Sequence, residues 1–506
     1  MADAADSPPI GLKRRQAITA GLLLGMSLAA LEATVIGTAM PTVIATLGGL
    51  AHYSWVFSAY LLTSTASVPI WGRLSDLYGR RRMYLIAVVC FLIGSVACGA
   101  STSMTQLIAA RAVQGLGAGG IIPLSMTIVG ELYALAERSR TQALFSSVWG
   151  VASVAGPLVG GYLTDALSWR WVFYINIPFG LLCIGVISAA YPASAIVRRV
   201  RVDWTGAALL FAGVSALLVS LGGDAPVVPW LAGATVLLGL FAFVQMRVAE
   251  PILPLEVLRY PVMSRTLGVV FLIGFALFGA VAFVPLFVQG VLGGTATQAG
   301  QVLTPLFLGW VVMSVLSAKA TVKLGYRTVA RSGGVLIVVG FLGLSLLTVD
   351  STRTLLFASC FVMGSGMGFQ MLSLLLAVQH GAPRSQLGIA TSLNQFSRSV
   401  GAAVGVAVMG AILSRGVAGL PLPGISEGDA AGRAIALSPE TRAVFAAALH
   451  EVFVLGAVVS AAGLLATFFL PHVDFGRGVP AHAGEQMLEA EMASLTPEDE
   501  PIGIVE

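Results

Sequence analysis

Long apolar runs separated by short polar stretches recur from one end of the chain to the other. Fourteen of them approach about 20 residues, the length a helix needs to cross a hydrocarbon layer about 30 Å thick. They lie near 16–40, 53–72, 84–101, 104–129, 141–165, 171–192, 203–222, 229–248, 265–290, 298–323, 328–348, 353–380, 386–414 and 449–471. The pattern predicts an all-α integral membrane protein of 14 transmembrane helices.

Composition agrees with the pattern. Of 506 residues, 57% are hydrophobic and only 10% charged, whereas soluble domains carry about 25% charged residues. Net charge is +4, so the basic balance reflects membrane orientation and points to no nucleic-acid partner. The four cysteines, Cys90, Cys98, Cys183 and Cys360, fall inside apolar runs. They read as small core residues without disulfide or metal spacing, and no cofactor is expected. Lys13-Arg14-Arg15 resembles the start of a signal peptide, but the run behind it is too long and others follow, which predicts a retained helix.

Basic residues set the orientation. With the N-terminus inside, the inner segments hold 21 arginines and lysines and the outer ones 5, while Arg111 and Arg398 are intramembrane. Both termini are then cytoplasmic, in a multi-pass chain of the cell's inner membrane. The densest basic stretch is Gly72–Met83, GRLSDLYGRRRM. Each charge there would cost roughly 2.5–3.5 kcal/mol at a helix centre, so a tight cytoplasmic hairpin is expected. It is either a plain orientation signal or a built device of Gly72, Arg73, Asp76, Gly79 and Arg80. Placing Gly79 on Gly325 puts Arg73 on Lys319 and Arg81 on Arg327, with Val322 opposite Asp76. This faint repeat points to two duplicated six-helix bundles. The expected domains are 1–192, an inserted helix pair with linkers at 193–264, and 265–472, followed by an acidic tail at 473–506. The long outer loop 415–448 contains Ser438-Pro439-Glu440, a helix start with cap, N1 proline and first-turn acid.

Candidate chemistry lies inside the spans. Glu32, in LEATVIGTAMP (31–41), is an intramembrane carboxylate, a functional hypothesis by default. Burial disfavours its charged form and gives it reason to exchange a proton. Arg111 lies at a matching depth, roughly 24–27 Å from the cytoplasmic end of its own helix. The two can pair, either as a proton-coupling device or as a structural brace, and Gln114, one turn later, can extend the cluster. In GVASVAGPLVGG (150–161), Gly156 and Gly160 have the spacing of a close helix contact, and Pro157 favours a kink. Trp169 and Trp171 in WRWVFYINIPFG (169–180) read as an interfacial anchor. The later polar spans offer Gln289, Gln301, Gln370, Asn394 and Arg398. Together with Trp310, and with Phe275, Phe278, Phe369 and Phe396 as an aromatic wall, these are candidates for a substrate cavity.

These motifs resemble the major facilitator superfamily. The stretch Gly-x-Leu-x-Asp-x-x-Gly-Arg-Arg is similar to its signature between the second and third helices. The Arg111 segment, the Gly-Pro motif with Gly150, Gly156, Pro157, Gly160 and Gly161, and 169–180 resemble its fourteen-helix drug:proton antiporters of the EmrB/QacA type. The resemblance implies two six-helix bundles around a cavity, alternating access, and efflux of amphipathic or cationic drugs driven by inward proton flow. It implies that Glu32 is the protonated acid and Arg111 its partner, and that Asp76 and Arg80 form a cytoplasmic latch with Glu131. The sequence departs where that family usually has an aspartate and an asparagine, at Glu32 and Gly37.

No phosphate loop, metalloprotease motif or extended soluble domain is present, which argues against an enzyme and leaves no catalytic or metal residues to name. The partners expected are protons, small amphipathic or cationic molecules and membrane lipid. A lipid or metabolite exporter on the same scaffold is the nearest alternative, and a receptor or channel the alternative of another class.

Overall fold

The computed structural model describes residues 11–49, 52–133, 135–192, 203–221, 226–248, 251, 258–381, 387–417 and 438–472. These residues form a helical assembly. The first group comprises α1 (Leu12–Leu47), α2 (Tyr53–Tyr78), α3 (Arg80–Gly99), α4 (Met104–Leu132), α5 (Leu135–Ala166), α6 (Trp171–Tyr174) and α7 (Asn176–Ala190). A pair follows, α8 (Trp204–Leu221) and α9 (Val227–Gln245). The last group is α10 (Pro261–Leu286, ending in a π turn at Phe287–Val291), α11 (Ala296–Leu324), α12 (Tyr326–Ser345), α13 (Arg353–Gly381), α14 (Leu387–Gly416) and α15 (Pro439–Thr467). Eleven of the described helical stretches are long and apolar enough to cross a membrane, with α6 and α7 forming one of them. The helices α2 and α5 are as long but richer in serine, threonine and glycine, and α8 is apolar over Trp204–Leu217.

The same packing scheme occurs twice. In the first group α2 and α3 lie on α4, and α1 lies on α5 and α7; in the last, α11 and α12 lie on α13, and α10 lies on α14 and α15. The junctions match as well. Gly79 has φ 89° and ψ 140°, and Gly325 has φ 79° and ψ 147°. Positive φ is open to glycine and strained for other residues, so each glycine reverses the chain in a single step. The expected hairpin at 72–83 is tighter than a loop: α2 continues to Tyr78 and α3 begins at Arg80, so Arg73 lies within α2 and Arg80, Arg81 and Arg82 in the first turn of α3.

The pair α8–α9 packs on itself and reaches the rest of the bundle through α8, which touches α2 and α14. At one end Asp203 closes the hairpin, accepting from the Gly206 N–H at 2.7 Å and from Gln245 Nε2 at 2.5 Å. Exposed Val228, Trp230, Leu231, Val236 and Leu240 leave one side of α9 apolar and unpacked, as a lipid-facing helix should be.

Local signals account for several helix starts. Ser103 caps α4 by accepting from the Gln106 N–H. Ser438 caps α15, with Pro439 at the first position and Glu440 in the first turn, as the sequence predicts, so this helix begins inside the expected outer loop. The span 171–192 runs through Ile175, whose φ of −58° and ψ of −26° are helical and whose N–H donates to the Trp171 carbonyl at 3.0 Å; the hydrogen-bond ladder is locally thinned where Pro178 has no N–H. One expectation changes. Trp169 is not an interfacial anchor: it is buried, with the Arg170 guanidinium 4.5 Å from its ring, whereas Trp171 is 47% exposed. The remainder of the outer loop, 418–437, and the tail from 473 lie outside the described residues.

Candidate functional site

The polar centre of the first group is built on α1 and α4. Glu32 and Arg111 form an ion pair between Oε1 and Nη1, with side-chain exposures of 0% and 1%. Their equal depth permits the contact, and the packing of α1 on α4 makes it. Four further elements, α2, α3, α6 and α7, complete the shell. Arg111 Nη1 also donates to Gln114 Oε1 at 2.7 Å, and Nε donates to the Val56 carbonyl of α2 at 3.2 Å. Its guanidinium stacks 4.2 Å from the Tyr60 ring centroid, with Phe173 at 6.0 Å on another side, a placement that stabilises the cation by its quadrupole attraction.

The second carboxylate oxygen is held from α7. Asn176 Nδ2 donates to Glu32 Oε2 at 2.9 Å and to Ser95 Oγ at 3.0 Å. Ser95 also accepts from Gln114 Nε2 at 3.2 Å and donates to the Phe173 carbonyl at 2.9 Å. Cys98 Sγ donates to Gln114 Oε1 at 3.6 Å. Every charged or amide group of this cluster is thus engaged, which is what burial requires of polar groups in a low-dielectric interior. The packing of α7 on α1 is what brings that amide to Glu32.

Sequence reasoning found Glu32, Arg111 and Gln114 and missed Asn176, Ser95 and Tyr60. A signal for Asn176 existed. Asparagine occurs at only two positions in the chain, 176 and 394, and both fall within predicted spans. Serine and tyrosine are too common in membrane helices to stand out.

The glycines of α5 do pack closely. A side chain at Gly160 would meet Val35 Cγ1 at 2.7 Å and the Val35 carbonyl oxygen at 2.8 Å on α1. Gly156 faces Thr34 of α1, whose hydroxyl donates to the Ala152 carbonyl at 3.1 Å. Gly161 turns the other way and lies 2.5 Å, by its missing Cβ, from the Ala296 carbonyl oxygen of α11; the Pro157 carbonyl abuts Gly300 of α11. Gly150 lies against Val311, also on α11. One face of the motif therefore seats α1 and the other seats α11. Gly37, too, has a packing reason: a Cβ there would lie 2.8 Å from the Val281 carbonyl oxygen of α10.

In the latch region Arg80 Nη1 donates to Ser75 Oγ. Gly72 has open space beside it. The side chains of Arg73, Asp76 and Glu131 lie outside the described residues.

The candidates for a substrate cavity separate into two sets. Gln114, Gln289 and Gln370 are buried in helix contacts in this state. Gln289 Nε2 donates to the Thr38 carbonyl at 2.9 Å and its oxygen accepts from Thr42 at 3.2 Å, joining α10 to α1. Gln370 sits against Gly333 and Gly334 of α12. Phe275 is likewise buried. Phe396 lines an apolar cleft with Leu61, Leu62, Leu210 and Val214 between α2, α8 and α14, rather than a central wall. Half-buried positions are held by Phe278, Trp310, Phe369, Asn394 and Arg398. Trp310 stacks on Phe307, and Arg398 Nη2 donates to Gln395 one turn earlier. Among the described residues no group of three or more His, Cys, Asp or Glu gathers to hold a metal ion.

Paired repeats of membrane-length helices around buried charges define a membrane transporter rather than an enzyme. A match to the Major Facilitator Superfamily spans residues 22–406, and the chain belongs to that family. Curated relatives include the multidrug transporter protein MdtP of Bacillus subtilis, 35% identical over 413 residues, covering 79% of this chain and 76% of that protein. Multidrug resistance protein 3 of Bacillus subtilis is 34% identical over 403 residues, covering 78% of this chain and 79% of that one. Among solved structures, a bacterial homologue of the human lysosomal transporter Spinster in an inward-facing, unoccupied conformation has a TM-score of 0.65. It is 16% identical and covers 91% of this chain and 98% of that one, a likeness of fold. A D-xylose–proton symporter follows at a TM-score of 0.63 and 14% identity, covering 92% and 99%.

Proposed function

We propose that this protein is a proton-coupled antiporter that exports amphipathic or cationic small molecules across the cytoplasmic membrane by alternating access. The observation that carries the reading is the sealed Glu32–Arg111 pair. An acid so placed can exist as an anion paired with arginine or as a neutral group after taking up a proton, and these two states favour different packings of the shell around it. The relatives named multidrug transporters support small drug-like substrates. The proposed domains are 1–192 and 265–472, with 193–264 inserted and 473–506 as a cytoplasmic tail. Both termini are placed inside by the arginine and lysine bias, so the Gly79 and Gly325 junctions face the cytoplasm. The opposite ends of the two halves, which meet through α5 and α11, α1 and α10, and α2 and α14, then face outward. The described state is read as one closed on that side. Asp76, Arg73, Arg80 and Glu131 form the proposed cytoplasmic latch. Trp310, Asn394 and Arg398, with Gln114, Gln289 and Gln370 when the buried contacts open, are the proposed substrate contacts, with lipid around the bundle.

The test is gradient-driven transport in proteoliposomes. Glu32→Gln keeps the shape of the side chain but cannot exchange a proton. Transport driven by an imposed pH gradient, and proton release on adding substrate, are both expected to vanish in this variant. Uptake equal to wild type would move the proton site elsewhere and leave Glu32 a structural partner of Arg111.

A further inference from the structure

We propose that Asp165 is the outer gate latch: its carboxylate, at the end of α5 in the first half, holds the N-terminus of α11 in the second. Resting on the alternating-access reading, this names the contact that must break each time the outer side opens. Asp165 Oδ1 accepts from the Ala296 N–H at 3.1 Å and Oδ2 from the Thr297 N–H at 2.7 Å. Those are the first two residues of α11.

A helix begins with four N–H groups that lack an intrahelical partner. At α11 the bonds around this start can be followed one by one. Thr295 and Gln298 form a capping box, in which the Gln298 N–H donates to Thr295 Oγ1 at 3.3 Å and the Thr295 N–H to Gln298 Oε1 at 3.1 Å. The Ala299 N–H takes the Thr295 carbonyl at 3.0 Å. The box leaves Ala296 and Thr297 over, and these are the two donors that Asp165 receives. The first turn of α11 contains no acid of its own. An anion at this position complements the positive end of the helix dipole, and here it arrives from the other half of the molecule.

The contact belongs to a seam two helical turns long. Gly161 lies against Ala296 and Thr297, and Pro157 against Gly300. Neutral groups also bridge the halves: Gln289 to Thr38 and Thr42, Tyr53 to the Ala282 carbonyl, and Ser58 to the Ala403 carbonyl. Asp165 brings an ionised acceptor and two donors at once, and charge-assisted bonds are roughly twice as strong as neutral ones. Because the donors are main chain, only proline on α11 would remove one. The strength of the latch is therefore set from the α5 side.

The experiment reads gate opening without substrate or gradient, so it does not depend on what is transported or on where the proton binds. Thr42, buried between α1 and α10, is replaced by cysteine as a reporter. A membrane-impermeant maleimide is applied to intact cells and, separately, to inverted vesicles. Background from the four native cysteines is subtracted with the same chain lacking Thr42→Cys. Asp165→Ala is expected to raise labelling from the outer side about tenfold, and Asp165→Asn, which keeps one neutral acceptor, by a smaller factor. Thermal unfolding of the purified chains shows whether each variant is folded. If Asp165→Ala does not fold, the asparagine variant decides, with a rise in outer labelling supporting the latch. Outer labelling unchanged in a folded variant overturns the proposal, as does an equal rise from both sides, which would mean general loosening.

Discussion

The Glu32–Arg111 pair makes an asymmetric stability prediction. Replacing Glu32 by glutamine leaves the Arg111 guanidinium with the Val56 carbonyl, Gln114 and the Tyr60 face, all neutral. Arginine cannot shed its charge, so the full cost of an uncompensated buried cation is expected, about 3–5 kcal/mol. Glutamine also places an amide where Oε2 now accepts from Asn176, and turning Asn176 to suit would forfeit its bond to Ser95. Replacing Arg111 by glutamine is a different perturbation. Glu32 can neutralise itself by binding a proton, so the loss is expected at about 2–3 kcal/mol, nearer the cost of a hydrogen bond to a charged group. In the double variant two neutral amides face one another, and the loss is expected to be smaller than that of Glu32→Gln alone. The assay is equilibrium unfolding of the four purified chains in mixed micelles with increasing SDS. A coupling energy of about 2–4 kcal/mol would agree with a sealed ion pair. Additive single effects of equal size would refute it, because they would mean that both groups reach water in the folded protein.

Two further outcomes are expected. Gly160→Leu forces a side chain into the Val35 backbone of α1; overpacking of this kind costs about 1–3 kcal/mol, and both the unfolding midpoint and substrate-driven transport should fall, whereas a wild-type midpoint would show that α1 and α5 separate freely. Gly79→Ala asks alanine to adopt φ 89° and ψ 140°; a loss of about 1–3 kcal/mol is expected from a backbone region that is nearly glycine's alone, and no measurable change would mean that the α2–α3 junction rearranges around it.

Much of this protein is legible in the amino-acid sequence. Helix order and duplication follow from the period of apolar runs, because lipid leaves a spanning helix no other way to satisfy its backbone. That Glu32 and Arg111 share one depth follows from helix rise, which converts position in a span into height. Gly79 and Gly325 can be matched by sequence, and their shared positive φ shows why glycine stands at both. The tertiary structure decides which neighbours surround those heights. Asn176 reaches Glu32 only because α7 packs on α1, and Asp165 finds α11 only because the halves close on each other at that end. Gln370 and Gln289 have the polarity of cavity residues, yet both are buried between helices. Sequence periodicity gives a residue's height and, at best, its face, whereas the rotation and tilt of each helix are set by side-chain packing against helices distant in the chain. The depth of each group can therefore be read from the chain alone, but its partner cannot.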